Sequence, residues 1–234
     1  MTGTLRPLVA AHTEAAMRWL NPAHGDPWQR AYLKAEKERT VSLVLDWLEI
    51  ESERQPFQVA QVEQKIDLIV GGLALKVRAD RIDEVPGGKL LIDYKTGEVS
   101  IAGWDGPRPD QPQLPLYAAF GNTPDLVGAV FAQTRWPKKK MMFKGRVEDA
   151  RASLCAALKD KDPLLTEPYT PETVEQWRDA LEHLSASFVR GEAQVDPHIY
   201  PQSCQYCELH GLCRVSESRA FDAAQDAADE EESE

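Results

Sequence analysis

The chain has 234 residues, of which 42% are hydrophobic and 28% charged, the balance of an ordinary soluble globular protein. That balance excludes a collagen, a coiled-coil rod and a wholly disordered chain, and the length suits one large domain without disulfide staples. No run approaches the roughly 18 apolar residues of a membrane span, and residues 1–10 lack the basic start and apolar core of a secretory signal. The net charge of −11 is unevenly placed. Seven acids and no basic residue fall in residues 221–234, a stretch expected to be disordered. Residues 135–146 instead hold Arg135, Lys138, Lys139, Lys140, Lys144 and Arg146 and no acid, so an acidic total does not exclude a nucleic-acid partner. Four cysteines without an export signal read as thiols or metal ligands, and the expected location is cytoplasmic, with no membrane partner.

Helical spacing of Leu5, Leu8, Val9, His12, Ala16 and Leu20 predicts a helix over residues 4–20. A longer helix is predicted over 27–54, with Trp28, Leu33, Val41, Val44, Trp47, Leu48 and Glu51 along it and Pro56 as its stop. The pattern then becomes that of strands. Residues 57–63 alternate, 68–70 and 73–82 flank a Gly71-Gly72 turn, and Pro86-Gly87-Gly88 leads into the apolar run Leu90-Leu91-Ile92. An antiparallel meander is the reading. A short helix over 113–120, a strand over 126–134 and helices over 147–159 and 171–189 follow, the last with Thr170 as N-cap and Gly191 past its end. This order gives a mixed α/β core. The predicted divisions are a helical part over 1–55, the core over 56–190, a cysteine-bearing segment over 191–216 and an acidic tail over 217–234.

Asp80 ends one apolar alternation, and Asp93 closes Leu90-Leu91-Ile92 on the strand across the turn. Carboxylates at adjoining strand ends repel unless a cation lies between them, and a hard divalent ion such as Mg²⁺ suits oxygen ligands. Strand periodicity puts Lys95 on the face of Asp93, where an ammonium can hold the attacking water or developing phosphate charge.

The set Asp80-Arg81-Ile82-Asp83, Asp93-Tyr94-Lys95-Thr96-Gly97 and Gln113-Leu114-Pro115-Leu116-Tyr117 resembles the RecB-like branch of the PD-(D/E)xK nuclease superfamily. Within it the likeness is to AddB-type and CRISPR-associated RecB-like exonuclease domains. The resemblance implies a restriction-endonuclease-like α/β core, with a mixed central sheet flanked by helices, and a Mg²⁺- or Mn²⁺-dependent deoxyribonuclease of DNA repair or recombination. It implies Asp80 and Asp93 as metal-binding acids, Lys95 as the catalytic lysine, and Gln113 and Tyr117 as a pair that shapes the site and contacts DNA. The implied substrate is single-stranded or end-bearing DNA, with a helicase-like subunit or region as a possible partner. That family also carries a histidine in a Gly-x-x-x-His motif. Gly3 and His12 lack that spacing, and His24 lies in a loop-like Asn-Pro-Ala-His-Gly, so the motif is expected either to be missing or to lie upstream of this chain. His12, on an apolar stripe, reads as a packed or capped histidine. A catalytically impaired DNA-binding or scaffolding module is the alternative, and a zinc-dependent interaction protein a third reading.

Cys204-x2-Cys207-x5-Cys213 resembles the cysteine triplet that, in the same nucleases, joins a distant cysteine to hold a [4Fe–4S] cluster. The three sulfurs are expected to converge. Cys155 is expected on a helix stripe with Leu154 and Leu158, which leaves the fourth ligand unidentified; zinc with His210 or His198 is the other option. In residues 135–146, Arg135, Lys138, Lys139, Lys140 and Lys144 are candidate phosphate contacts, with Trp136 and Phe143 placed to stack on unpaired bases.

Overall fold

The computed structural model describes residues 2–20 and 26–217. His24 and the acidic tail lie outside the described residues. The chain divides into two compact units, Met1–Ser185 and Ala186–Glu234.

The first unit opens with two helices, α1 (Thr2–Ala16) and α2 (Pro27–Glu51). Asp26 caps α2 by accepting from the Gln29 backbone N–H at 2.8 Å, and α1 packs on it through Val9, Val41 and Leu45. Strands β1 (Gln58–Val70), β2 (Leu73–Val85) and β3 (Gly88–Lys95) form the expected meander, and Gly87 at φ 95° supplies the left-handed turn residue between β2 and β3. Helix α3 (Gln113–Phe120) carries the chain to β4 (Leu126–Gln133), which runs parallel to β3, and β5 (Met142–Val147) pairs antiparallel with β4. The sheet order is β1-β2-β3-β4-β5. Short helices α4 (Ala150–Ser153) and α5 (Pro163–Thr166) follow, and then α6 (Pro171–Val189), which Thr170 caps by accepting from Thr173 N–H at 3.2 Å.

Central strands covered on both faces read as continuous apolar runs, and β3 and β4 do so. Leu91, Ala129 and Phe131 face one way, onto Leu114 and Tyr117 of α3 and Trp177 of α6. Leu90, Ile92, Val130 and Ala132 face the other way, onto Trp47 of α2, Ala150 and Leu164. This is the expected mixed α/β sheet flanked by helices. Among the described residues no helix is long and apolar enough to cross a membrane.

Several elements differ from the sequence reading. β1 is one continuous strand, because its first eight residues are exposed and pairing with β2, not burial, maintains it. The helix expected over 147–159 is instead the end of β5 and the single turn α4, and Cys155 lies beyond it, half-buried. Leu154 and Leu158 do pack in the core, so their spacing reflects burial along an irregular segment. Residues 142–147, read as part of a basic loop, form β5. His12 is exposed on α1, not packed.

The second unit contains the end of α6, a 3-10 turn at Gln202–Cys204 and the one-turn helix α7 (His210–Cys213).

Candidate active site

The β2–β3 ladder ends at the pair Arg81↔Ile92. Asp80 and Asp93 are the next residue on each strand, just past the last backbone pair. Beyond that point β3 is held on its other side by β4, through Lys95↔Gln133. Asp80 accepts a hydrogen bond from the Tyr94 backbone N–H at 2.9 Å, so its carboxylate reaches across to β3. Asp93 is 1% exposed, so its carboxylate is buried.

Gln113, the first residue of α3, ties the set together. Its amide donates to Asp93 Oδ1 at 2.6 Å, and its carbonyl oxygen accepts from Lys95 Nζ at 2.8 Å. Tyr117, one helical turn on, has its hydroxyl 3.2 Å from the Gln113 amide nitrogen and donates to the Arg78 carbonyl at 2.7 Å. Lys95 Nζ stands 2.6 Å from Asp93 Oδ2. Among the described residues that ammonium is the group that meets this oxygen, which no backbone N–H or neutral side chain reaches. Burial raises the Asp93 pKa above the ordinary carboxylate range, Lys95 opposes the rise and the charge of Asp80 adds to it. The structure therefore brings Asp80, Asp93, Lys95, Gln113 and Tyr117 into one connected site. A buried carboxylate with a second carboxylate near it, and one ammonium against the two charges, fits a divalent cation.

On the opposite face of β2 and β3 lies a charge cluster that the sequence reading did not assign. Asp83 accepts from Arg81 Nε and Nη2 at 2.6 and 2.8 Å and pairs with Arg54 Nη1 at 2.9 Å. Glu51 pairs with Arg54 at 2.9 Å and with Arg81 at 3.2 Å, and accepts from Trp47 Nε1 at 3.1 Å. Arg81 Nη1 also donates to the Tyr94 hydroxyl at 2.8 Å. Burial disfavours the Arg81 charge, yet its bonds to Asp83 and the charge of Glu51 hold its pKa above the usual arginine value. Glu51 on the apolar stripe of its helix was the available signal, since an acid there needs a buried partner.

The basic segment is less free than its composition suggests. Arg135 pairs with Glu98, Lys138 with Glu49, and Arg146 with Asp105 at 2.6 Å. Lys144 donates to the Val99 carbonyl at 2.8 Å. Phe143 packs edge-on against Trp47 at 4.9 Å, so it is not free to stack on a base. Lys139 and Lys140 are exposed and make no ion pair among the described residues, and Trp136 is exposed.

The cysteines do not form the expected metal group. Among the described residues no three His, Cys, Asp or Glu side chains gather to hold a metal ion. Cys207 is exposed, Cys204 and Cys213 are half-buried, and all four cysteines are free thiols. Cys204 ends a 3-10 turn and Cys213 ends α7, so the short spacing does not by itself converge the sulfurs. The sulfur of Cys207 instead accepts from the Leu209 backbone N–H at 3.4 Å. Among the described residues the cysteines are thus not gathered as an iron–sulfur cluster or a zinc site would need.

An α/β sheet that presents two acids and a lysine at adjoining strand ends, held by a glutamine on the following helix, defines a hydrolase-type site. The family model of the PD-(D/E)XK nuclease superfamily matches residues 3–214, and the chain belongs to that superfamily. No curated protein matches the chain. Among solved structures it is similar to one titled "Crystal structure of SSO0001", with 13% identity over 91% of this chain and 98% of that one, at a TM-score of 0.33. At that distance the likeness adds nothing to the family assignment. Membership implies nuclease activity.

Proposed function

We propose that this chain is a Mg²⁺- or Mn²⁺-dependent deoxyribonuclease of the RecB-like branch, acting on single-stranded or end-bearing DNA in repair or recombination. The observation that carries the reading is the buried Asp93 carboxylate, which feels the charge of Asp80 and has Lys95 Nζ 2.6 Å from its Oδ2. Asp80 and Asp93 would hold the ion, which when bound supplies Lewis acidity and a water acidic enough to act as nucleophile. Gln113 keeps Asp93 and Lys95 at fixed separation by bonding both. Lys95 stabilises charge as it grows on the phosphate oxygens, and as a point donor it needs no bidentate geometry. Water adds at phosphorus while the bond to the leaving sugar oxygen breaks. The Gln113…Tyr117 pairing on α3 favours the RecB-like branch over other members of the superfamily.

Lys139, Lys140 and exposed Trp136 favour a strand path along the segment after β4, with Arg135, Lys138 and Lys144 available once their present partners yield. A helicase-like partner would supply such a strand. The lack of the Gly-x-x-x-His spacing at Gly3 and His12 favours the second reading, a nuclease fold that binds DNA without cutting it. Cleavage of an end-labelled single strand and a duplex in Mg²⁺, Mn²⁺ and EDTA separates the two. Cutting in Mg²⁺ or Mn²⁺, absent in EDTA and in Asp80→Ala, supports the proposal, whereas equal cutting by Asp80→Ala or none by wild type refutes it.

A further inference from the structure

Two acids that must share one cation repel each other until it arrives, and no backbone pair of the β2–β3 ladder spans them. Some other contact has to set their separation. Tyr94 touches both sides of the gap. Its backbone N–H holds Asp80 Oδ2 at 2.9 Å, and it follows Asp93 directly in the chain. Its side chain projects to the opposite face, as strand alternation requires, where the hydroxyl accepts from Arg81 Nη1 at 2.8 Å. Arg81 in turn follows Asp80. The residue after each acid is therefore joined to the residue after the other, behind the site.

The remaining cluster keeps Arg81 from choosing another position. Asp83 grips its guanidinium through two bonds, Glu51 lies 3.2 Å from Nη1, and Trp47 packs edge-on against the Tyr94 ring at 6.2 Å. Arg54, 1% exposed, completes the pairing with Asp83 and Glu51. Its Nε and Nη2 have no hydrogen-bond partner, but the Phe57 ring lies 4.0 Å beneath the guanidinium and meets it as a cation–π partner. Four charges buried this way are not explained by stability, because buried ion clusters can often be replaced by apolar residues at no loss. What they provide is a single geometry.

We propose that Arg81 and Tyr94 are positioning residues: a clamp behind the sheet that sets the separation of Asp80 and Asp93 for a divalent cation. The clamp rests on the metal-dependent reading above. Its test is a calorimetric titration of MgCl₂ or MnCl₂ into DNA-free protein, well below the unfolding temperature. Tyr94→Phe removes one hydroxyl while leaving the ring and the backbone donor to Asp80. Its ion affinity is expected to fall about tenfold, with Tm within about 3 °C of wild type and cleavage restored at higher ion concentration. Arg81→Lys, which keeps the charge and loses the fork, is expected to weaken the ion at least as much. Leu181→Ala, in a core cluster shared with Leu68 and Val70, serves as the stability control and is expected to lower Tm with ion affinity unchanged. Tyr94→Phe binding the ion as tightly as wild type overturns the clamp and leaves the nuclease reading intact. The same affinity loss in Leu181→Ala also overturns it, since ion affinity would then merely follow stability. Wild type that binds no divalent ion overturns both.

Discussion

At Asp93 and Tyr94 neighbouring side chains turn to opposite faces of the sheet, and the two faces treat charge differently. Behind the sheet two carboxylates meet two guanidinium groups, and Glu51 and Asp83 each contact both Arg54 and Arg81. In front there are two carboxylates and one ammonium, Lys95, which pairs with Asp93, while Asp80 accepts from a backbone N–H. A cluster whose charges balance has little affinity left for an ion, and it fixes geometry. An under-paired one keeps its geometry only with help from elsewhere and retains affinity for a cation. The difference separates the part of this fold that positions from the part that reacts.

The comparison breaks most visibly if charges are removed from the rear. Asp83→Ala leaves two guanidinium groups buried with one carboxylate between them, and it is expected to cost about 3–5 kcal/mol of stability by denaturant unfolding. A loss under 1 kcal/mol would mean that the cluster is hydrated and not a closed unit.

Removing the front cation has the opposite profile. Lys95→Met is expected to lower kcat about 10²–10³-fold, the range for a lost transition-state donor, with near-normal folding. Its Tm is the check, because a large fall would place Lys95 among the structural charges.

A smaller effect sharpens the same contrast through pH. Asp93 has a folded-state pKa above its unfolded value, since burial penalises its charge. The folded protein therefore binds this proton more tightly than the unfolded chain does. The contribution of Asp93 is most favourable below both pKa values and declines as pH rises from the unfolded pKa through the folded one. Above the folded pKa the metal-free protein carries that penalty in full. Asp93→Asn is then expected to melt no lower than wild type at pH 7 without metal, and the difference should shrink as the pH is lowered toward the unfolded carboxylate range. A marked destabilisation of Asp93→Asn at pH 7 would show that the front is a paired structural site like the rear.

The smallest expected change concerns DNA. Lys139→Ala with Lys140→Ala should reduce the slope of log affinity against log salt on a single strand by about 0.7 per lysine. The same pair of changes should leave Tm unaltered, since neither lysine makes an ion pair among the described residues. An unchanged slope would remove this segment from the strand path.

The front face was legible in the sequence because each residue there ends a recognisable element. Asp80 and Asp93 close apolar strands, Lys95 lies at strand spacing from Asp93, and Gln113 begins the helix after a proline-rich loop. The rear was not, because Glu51 and Arg54 are far in sequence from Arg81 and Asp83, and their pairing shows only once the fold brings the two segments together. The apolar alternation of β2, the Pro86-Gly87-Gly88 turn and the apolar run of β3 predicted their pairing, whereas α4 and β5 were misread where three lysines and a short irregular turn erase periodicity. The cysteine triplet shows the limit of spacing as evidence, since short separations bring sulfurs near one chain segment without aiming them at one point.

The central claim is that the under-paired front carboxylates are a cation site. Calorimetry of MnCl₂ against DNA-free wild type and Asp93→Asn tests it most directly, with circular dichroism to show that both are folded. The account predicts saturable binding by wild type and its loss in a folded Asp93→Asn. Equal binding by the two proteins would contradict it.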